Sequence, residues 1–242
     1  MADSVCIDRL GRKDEAWSLV PAGPFSMGSK DGDSDERPVR EVTLDAYCIA
    51  KYEIANRLWS QYESATGVRA KESSPKGFDV PNQPRVNINR SEARGFCQWL
   101  GGDLPTEAQW EKAAKGGIKN LKYPTATGGI SKDLANYNFF FGKIKPVGSH
   151  PEGPFGTFDM AGNVWEWVLD AYNHSAYTYL PAENPVNSKD TGLGVFRGGG
   201  WSDVNDGLNL RAANRVNYDP AVRVNFVGAR CALPAVAPGL LK

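Results

Sequence analysis

Few residues in this chain carry the chemistry that enzymes and metal centres need. The four cysteines, Cys6, Cys48, Cys97 and Cys231, are spaced far too widely for a C-x-x-C redox or zinc motif. Buried free thiols are therefore the expectation. Two histidines, His150 and His174, cannot supply a three-histidine metal centre. His150 precedes Pro151 and His174 lies in a Tyr-rich loop, with no nucleophile motif beside either, so a hydrolytic triad has no starting point. Glu107, Asn163 and Glu166 stand among apolar residues. A carboxylate in that setting either does general acid–base work or is buried to hydrogen-bond loop amides, and the apolar surroundings favour the structural role.

The stretch from Ser202 to Arg230 points to recognition instead. It contains no Lys, Glu, Gln, Met or Trp. An Asn codon whose two adenines are replaced at random reaches every amino acid except those five. Drift in a Gly- and Asn-rich loop is the plain alternative; adenine-directed diversification is the sharper reading.

The elements that must position these residues are short. One helix is expected after Asn56, over Arg57 to Thr66, with Leu58, Trp59 and Tyr62 on one face and Gly67 as its stop. A second starts from Asn89 as N-cap with Glu92 three residues on. It carries Ala93, Phe96, Cys97 and Leu100 on a stripe and stops at Gly101-Gly102. A third opens at Thr106 after Pro105 and ends at Gly116-Gly117. Strand-like signals cover Trp17 to Val20, Glu41 to Leu44 and Val195 to Arg197. With 26 glycines and 16 prolines spread throughout, the expected class is α+β with much irregular backbone.

The whole chain, residues 1–242, reads as one domain without a linker, and 41% hydrophobic content is enough for a sizeable core. Net charge is zero, so no global field favours nucleic acid or an acidic membrane. No apolar run is long enough for a membrane span. The start, Met1 to Asp8, lacks a basic and then apolar leader pattern, which makes a cytoplasmic location the default expectation. The Pro/Ala-rich tail from Pro234 to Lys242 is expected to be loosely held.

Landmarks recur in order: Pro21-Ala-Gly-Pro-Phe-Ser-Met-Gly-Ser29, Lys51-Tyr-Glu-Ile-Ala-Asn56, Asp103-Leu-Pro-Thr-Glu-Ala-Gln-Trp-Glu-Lys-Ala-Ala114, Phe155 to Trp167 with its Gly162-Asn-Val-Trp-Glu-Trp, and Arg197-Gly-Gly-Gly-Trp201. This series, over residues 17 to 233, resembles the formylglycine-generating enzyme (sulfatase-modifying factor) family. The resemblance implies a C-type-lectin-like fold in its larger, loop-rich version. It also implies calcium, held in relatives near the segments matching Ala135-Asn-Tyr137 and Gly162 to Glu166. No acid follows Asn136 before Glu152, so the first site reads as lost; Asn163 with Glu166 would be the remainder of the second.

The family's oxidase chemistry rests on two copper-binding cysteines shortly after the Gly-Gly landmark. The matching stretch here, Trp201 to Arg211, contains no cysteine. Copper(I) is soft and needs sulfur, which Asp, Asn and Ser cannot replace. Sulfoxide-synthase relatives use a three-histidine iron site, which is also missing. No catalytic residues, metal ligands or cofactor are therefore expected.

The C-terminal segment is similar to the variable proteins of diversity-generating retroelements, which use the same lectin-like fold. The resemblance rests on Arg197-Gly-Gly-Gly-Trp201, Leu210-Arg-Ala-Ala-Asn-Arg215, Asp219-Pro-Ala-Val-Arg223 and Val227-Gly-Ala-Arg230, with Ala229 standing where relatives commonly carry Phe. It implies a variable region over about 197–230. The implied ligand-binding residues are Ser202, Asp203, Val204, Asn205, Asp206, Val216, Asn217, Tyr218, Asp219, Val222, Val224, Asn225 and Phe226. These should be mostly exposed and converge on one face. Arg211, Arg215, Arg223 and Trp201 should be buried beneath them, with Arg230 in the same frame. The arginines could instead form a nucleic-acid patch, but Asp203, Asp206 and Asp219 nearly balance them. Cys97 and Cys231 match positions joined by a disulfide in some relatives, so their Cα atoms should lie within about 7 Å, with free thiols expected in a cytoplasmic chain. The expected function is a non-catalytic binding protein whose ligand is a protein or cell-surface molecule. The alternative is a divergent oxidase or other enzyme of the same family.

Overall fold

A computed structural model describes residues 6–13 and 16–235. The first five residues and the tail beyond Ala235, and with them most of the leader and loose-tail expectations, lie outside the described residues; Pro234, where the loose tail is expected to begin, is still paired in a strand with Tyr47. Strand β1 (Trp17–Val20) pairs antiparallel with β4 (Tyr47–Ala50), and β4 with β9 (Ala232–Pro234). Strands β2 (Gly23–Met27) and β3 (Arg40–Leu44) form a two-stranded ribbon that turns Phe25, Met27, Val42 and Leu44 inward, the period-two pattern of a half-buried strand.

The sheet that carries the C-terminal segment has four strands in the order β7 (Val216–Tyr218), β6 (Gly194–Arg197), β5 (Trp165–Ala171), β8 (Val227–Ala229). β6 runs antiparallel to both β5 and β7, while β8 runs parallel to β5. Every residue of β5 except Leu169 is buried, so both faces are covered and no polar alternation survives in the sequence.

Capping residues mark the end of one helix, the start of a second and both ends of a third. Helix α1 (Asn56–Thr66) ends at Gly67, whose φ of 73° is left-handed. Helix α2 (Arg90–Trp99) opens on a reciprocal box, with the Asn89 side chain accepting from the Glu92 amide and Glu92 from the Asn89 amide. Helix α3 (Glu107–Lys115) repeats the device with Thr106 and Gln109. A fourth, α4 (Ala176–Tyr179), is one turn long.

Of four apolar clusters among the described residues, two are large. One gathers Trp17, Trp59, Phe96, Trp167 and Phe196, with Trp59 stacked on Phe96 at 5.6 Å. The other packs Trp110, Ala113 and Ala114 of α3 against Phe25, Leu44, Val168 and Tyr177. The four cysteines overturn the free-thiol expectation: Cys6 bonds Cys48 and Cys97 bonds Cys231. The Cα atoms of Cys97 and Cys231 are 5.3 Å apart, within the expected limit. Wide sequence spacing hides such pairs because β1, β4, β9 and α2 bring distant segments together.

Candidate ligand-binding surface

Buried arginines fasten the C-terminal segment to the rest of the molecule. Arg215 donates from Nε and Nη2 to the two oxygens of Glu107 at 2.6 and 2.7 Å. It lies between the rings of Tyr172 and Tyr177, 4.9 and 4.8 Å from their centroids. Arg197 meets Glu111 at 2.5 Å and donates to the carbonyls of Ala212, Ala213 and Asn214. Arg211 grips Glu36 through two 2.8 Å bonds, and Arg230 grips Glu166 through two at 2.7 Å. Glu107 and Glu166 thus serve the structural role favoured by their surroundings.

Electrostatics follow this pairing. Burial would raise Glu111, but Lys115 and Arg197 outweigh it and hold its carboxyl below the ordinary range. Burial also lowers Arg215, yet Glu107 more than reverses that and keeps it charged. Asp170 lacks such a cation in direct contact: burial and then the Glu107 carboxylate push it up to about 7, against the pull of backbone N–H bonds from Asn187 and Glu107.

Arg223 is paired as expected but less deeply buried than the other frame arginines, with 13% of its side chain exposed. Its side chain is half-buried and meets Glu92 at 2.9 Å near the surface, because it lies on the segment crossing the exposed start of α2. Trp201 is buried as expected, its Nε1–H donating to the Asn225 carbonyl.

The thirteen expected binding residues divide. Val204, Asn205, Asp206, Asn217, Tyr218 and Asp219 are exposed; Ser202, Asp203, Val216, Val222, Val224, Asn225 and Phe226 are half-buried. Asp203 turns back as a clasp, accepting from the Gly200 amide and from Asn209. Val222, Val224 and Phe226 pack on the Trp59–Phe96 core. The physical reason lies in the topology: β7 and β8 both run parallel to β5, so residues 219–226 must travel back along the sheet. On the way, Pro220 and Val224 accept from the amides of Arg90 and Asn87.

Nor do the clusters all meet. Residues 202–206 and 224–226 gather around Trp201 at the Trp165 end of β5, where Trp165 donates to the Phe226 carbonyl and Trp201 to that of Asn163. Tyr218 pairs with Gly194, opposite Ala171, and stacks on Phe196 at 5.2 Å. Six residues of strand, on the order of 20 Å, separate those levels.

Beside the first group lies a cleft of about 800 Å³. Asn205, Leu208 and Asn209 form one wall and Ser29 to Asp33 the other, with Lys115, Lys122 and Arg211 also lining it. Lys115 and Arg211 are already neutralised by Glu111 and Glu36. The wall at residues 29–33 escaped sequence reading, since an Asp/Gly/Ser loop looks like any solvated turn.

Copper(I), and calcium at Asn163 and Glu166, do not fit the residues present. Copper(I) would need thiolates at residues 202–210, and the four cysteines are all tied in disulfides elsewhere. For calcium, both Glu166 oxygens accept from Arg230, and Asn163 Oδ1 accepts from Asn136 Nδ2 and the Lys145 amide. Among the described residues no group of three or more His, Cys, Asp or Glu could hold a metal ion.

A loop-rich α+β scaffold with an arginine-fastened C-terminal segment defines the class of the molecule as C-type-lectin-like. The chain belongs to the sulfatase-modifying factor enzyme 1-like domain family, whose model matches residues 7–235. It is 34% identical to serine/threonine-protein kinase pkn1 of Chlamydia caviae over 234 residues, covering 88% of this chain. The chain spans 37% of the length of that relative. Among solved structures, PvdO from Pseudomonas aeruginosa matches with a TM-score of 0.79 and 25% identity, covering 97% of this chain and 99% of that one. Treponema denticola variable protein 1 matches with a TM-score of 0.67 and 23% identity over 90% and 94% of the two chains, a likeness of fold. No helix among the described residues is long and apolar enough to cross a membrane.

Proposed function

We propose that residues 1–242 form one domain that binds a ligand without catalysing a reaction, and that its segment 197–230 is diversified at adenines by a retroelement. The observation that carries this reading joins sequence and packing. From Ser202 to Arg230 the five residue types unreachable from a randomised Asn codon are missing, while Arg211, Arg215 and Arg230 within that stretch are buried and paired with acids. A recognition surface that accepts many side chains needs such a fixed frame.

The exposed residues Val204, Asn205, Asn217, Tyr218 and Asp219 are the positions of free variation. The half-buried Ser202, Asp203, Val216, Val222, Val224, Asn225 and Phe226 vary within limits of size. Asp206 has a backbone φ of 47°, which favours Asp, Asn or Gly and narrows what can stand there. The mixture of short polar groups and an aromatic suits a protein or cell-surface ligand, as in antibody paratopes. The local acids disfavour nucleic acid. Two buried disulfides support work in an oxidising compartment rather than the cytoplasmic location expected from the sequence.

The deciding experiment is genomic sequencing around the gene. A near-copy of the codons for residues 197–230, differing at adenines and next to a reverse-transcriptase gene, is the expected result. A flanking region with neither removes the diversification reading.

A further inference from the structure

Three consecutive phenylalanines, Phe139, Phe140 and Phe141, are 50%, 46% and 42% exposed. Their loop is held in a costly shape: Asn138 and Phe139 have φ values of 51° and 54°, which a bulky side chain rarely adopts. The Asn138 and Phe139 amides donate to the carbonyls of Asp203 and Trp201, and Asn136 Nδ2 closes the stem on the Lys143 carbonyl. The rings fan apart over three supports: Phe139 against Trp201 at 5.2 Å, Phe140 against Tyr137 at 5.0 Å and Phe141 against His150 at 6.0 Å. At roughly 200 Å² per Phe side chain, the exposed apolar tip is on the order of 300 Å². Interior packing does not explain a tip that stays outside.

Charge distinguishes what covers it. Residues 134–151 contain no acid but include Lys143 and Lys145, in a chain whose acids and bases balance at 28 each. Lys143 is exposed, and Lys145 Nζ sits 4.1 Å from the Phe141 ring centroid. Nearby, Asp203 is engaged by the Gly200 amide and Asn209, and Asp159 by His150 and the Gly148 amide; the exposed acids are Asp206 in the adjoining loop and Asp133 and Glu152 at the two ends of the stretch, outside the Phe139–Lys145 tip itself. Aromatic rings at a tip with ammonium groups at its base match the order of an anionic lipid surface, acyl boundary first and phosphates next. A fluid lipid surface also closes around splayed rings, which a fixed protein groove must match one by one.

We propose that the Phe139–Phe141 tip, with Lys143 and Lys145, docks the protein on anionic lipid surfaces. This does not depend on the diversified-ligand reading.

The test is co-sedimentation of the full chain with vesicles of phosphatidylcholine plus phosphatidylglycerol, and with phosphatidylcholine alone. Expected is binding to the anionic vesicles, weakened about tenfold by K143Q/K145Q and by raised salt. F140S/F141S should lose about tenfold or more while melting near the parent temperature. Trp201, beside Phe139, should be quenched by brominated lipid. K143Q, an exposed single change, serves where the double variants fold poorly. Failure of the parent to bind either vesicle overturns the proposal. So does unchanged binding by folded F140S/F141S. Sedimentation velocity showing that the phenylalanines instead hold two copies together, without vesicle binding, would assign the tip to self-association.

Discussion

Arg230 and Glu166 meet through two parallel 2.7 Å hydrogen bonds, with both side chains out of water. The pair ties the residue just after β8 to the middle of the β5–β8 ladder, and the same guanidinium also donates to the carbonyls of Ala50, Lys51 and Phe158. One side chain therefore joins β4, the segment before β5, and the C-terminal strand. Arg215 does the same for α3 through Glu107.

Breaking that frame should cost far more than altering the exposed surface. Arg215→Ala leaves Glu107 buried without its partner and should lower stability by about 3–5 kcal/mol. Arg223→Ala, nearer solvent, should cost no more than about 1 kcal/mol. Val204→Ser, Asn205→Ala and Asn217→Ala should each stay within about 0.5 kcal/mol. Chemical denaturation of the set checks this; a destabilised surface set beside an unaffected Arg215→Ala would invert the assigned roles.

With no thiolate in residues 202–210, the protein should neither bind copper(I) tightly nor consume oxygen while oxidising a cysteine-containing peptide. An oxygen electrode and a copper competition assay measure both. Stoichiometric copper with turnover would reinstate the oxidase alternative.

Acidity should affect Asp170 in a definite direction. Its folded pKa, raised from 3.8 to about 7, exceeds the unfolded one, so protonation favours the folded state. That contribution is full below about pH 4 and is lost as pH rises through about 7. Asp170→Asn should flatten the fall in melting temperature across this window, whatever it does to absolute stability. An unchanged slope would mean that Asp170 stays ionised throughout.

Reduction should be costly. Cys97–Cys231 closes a loop across a sequence separation of 134 residues, and its loss should remove on the order of 4 kcal/mol. Melts of the native protein and the Cys97→Ser/Cys231→Ser variant give the comparison.

Much of the frame was legible because its signals are local. Asn89 with Glu92, and Thr106 after Pro105, announce helix starts; Trp17 to Val20 is short and apolar enough to mark a strand. Strand β5 hid because burial on both faces erases alternation, leaving Trp165 to Ala171 readable as a motif but not as a strand. Binding clusters were placed by type, and type cannot show that residues 219–226 must retrace the sheet and bury half their side chains. The Phe139–Phe141 run was visible as letters; that it stays outside depends on the left-handed turn at Asn138 and Phe139.

The return of residues 219–226 along the sheet makes this segment intolerant of a change in length. Inserting one residue before β8 would slide Val227–Ala229 by a step, reverse which faces their side chains occupy, and carry Arg230 away from Glu166. A process that rewrites single bases leaves the spacing untouched, whereas slippage or insertion would unfasten the strand. The fold thus holds this segment to one fixed count of residues.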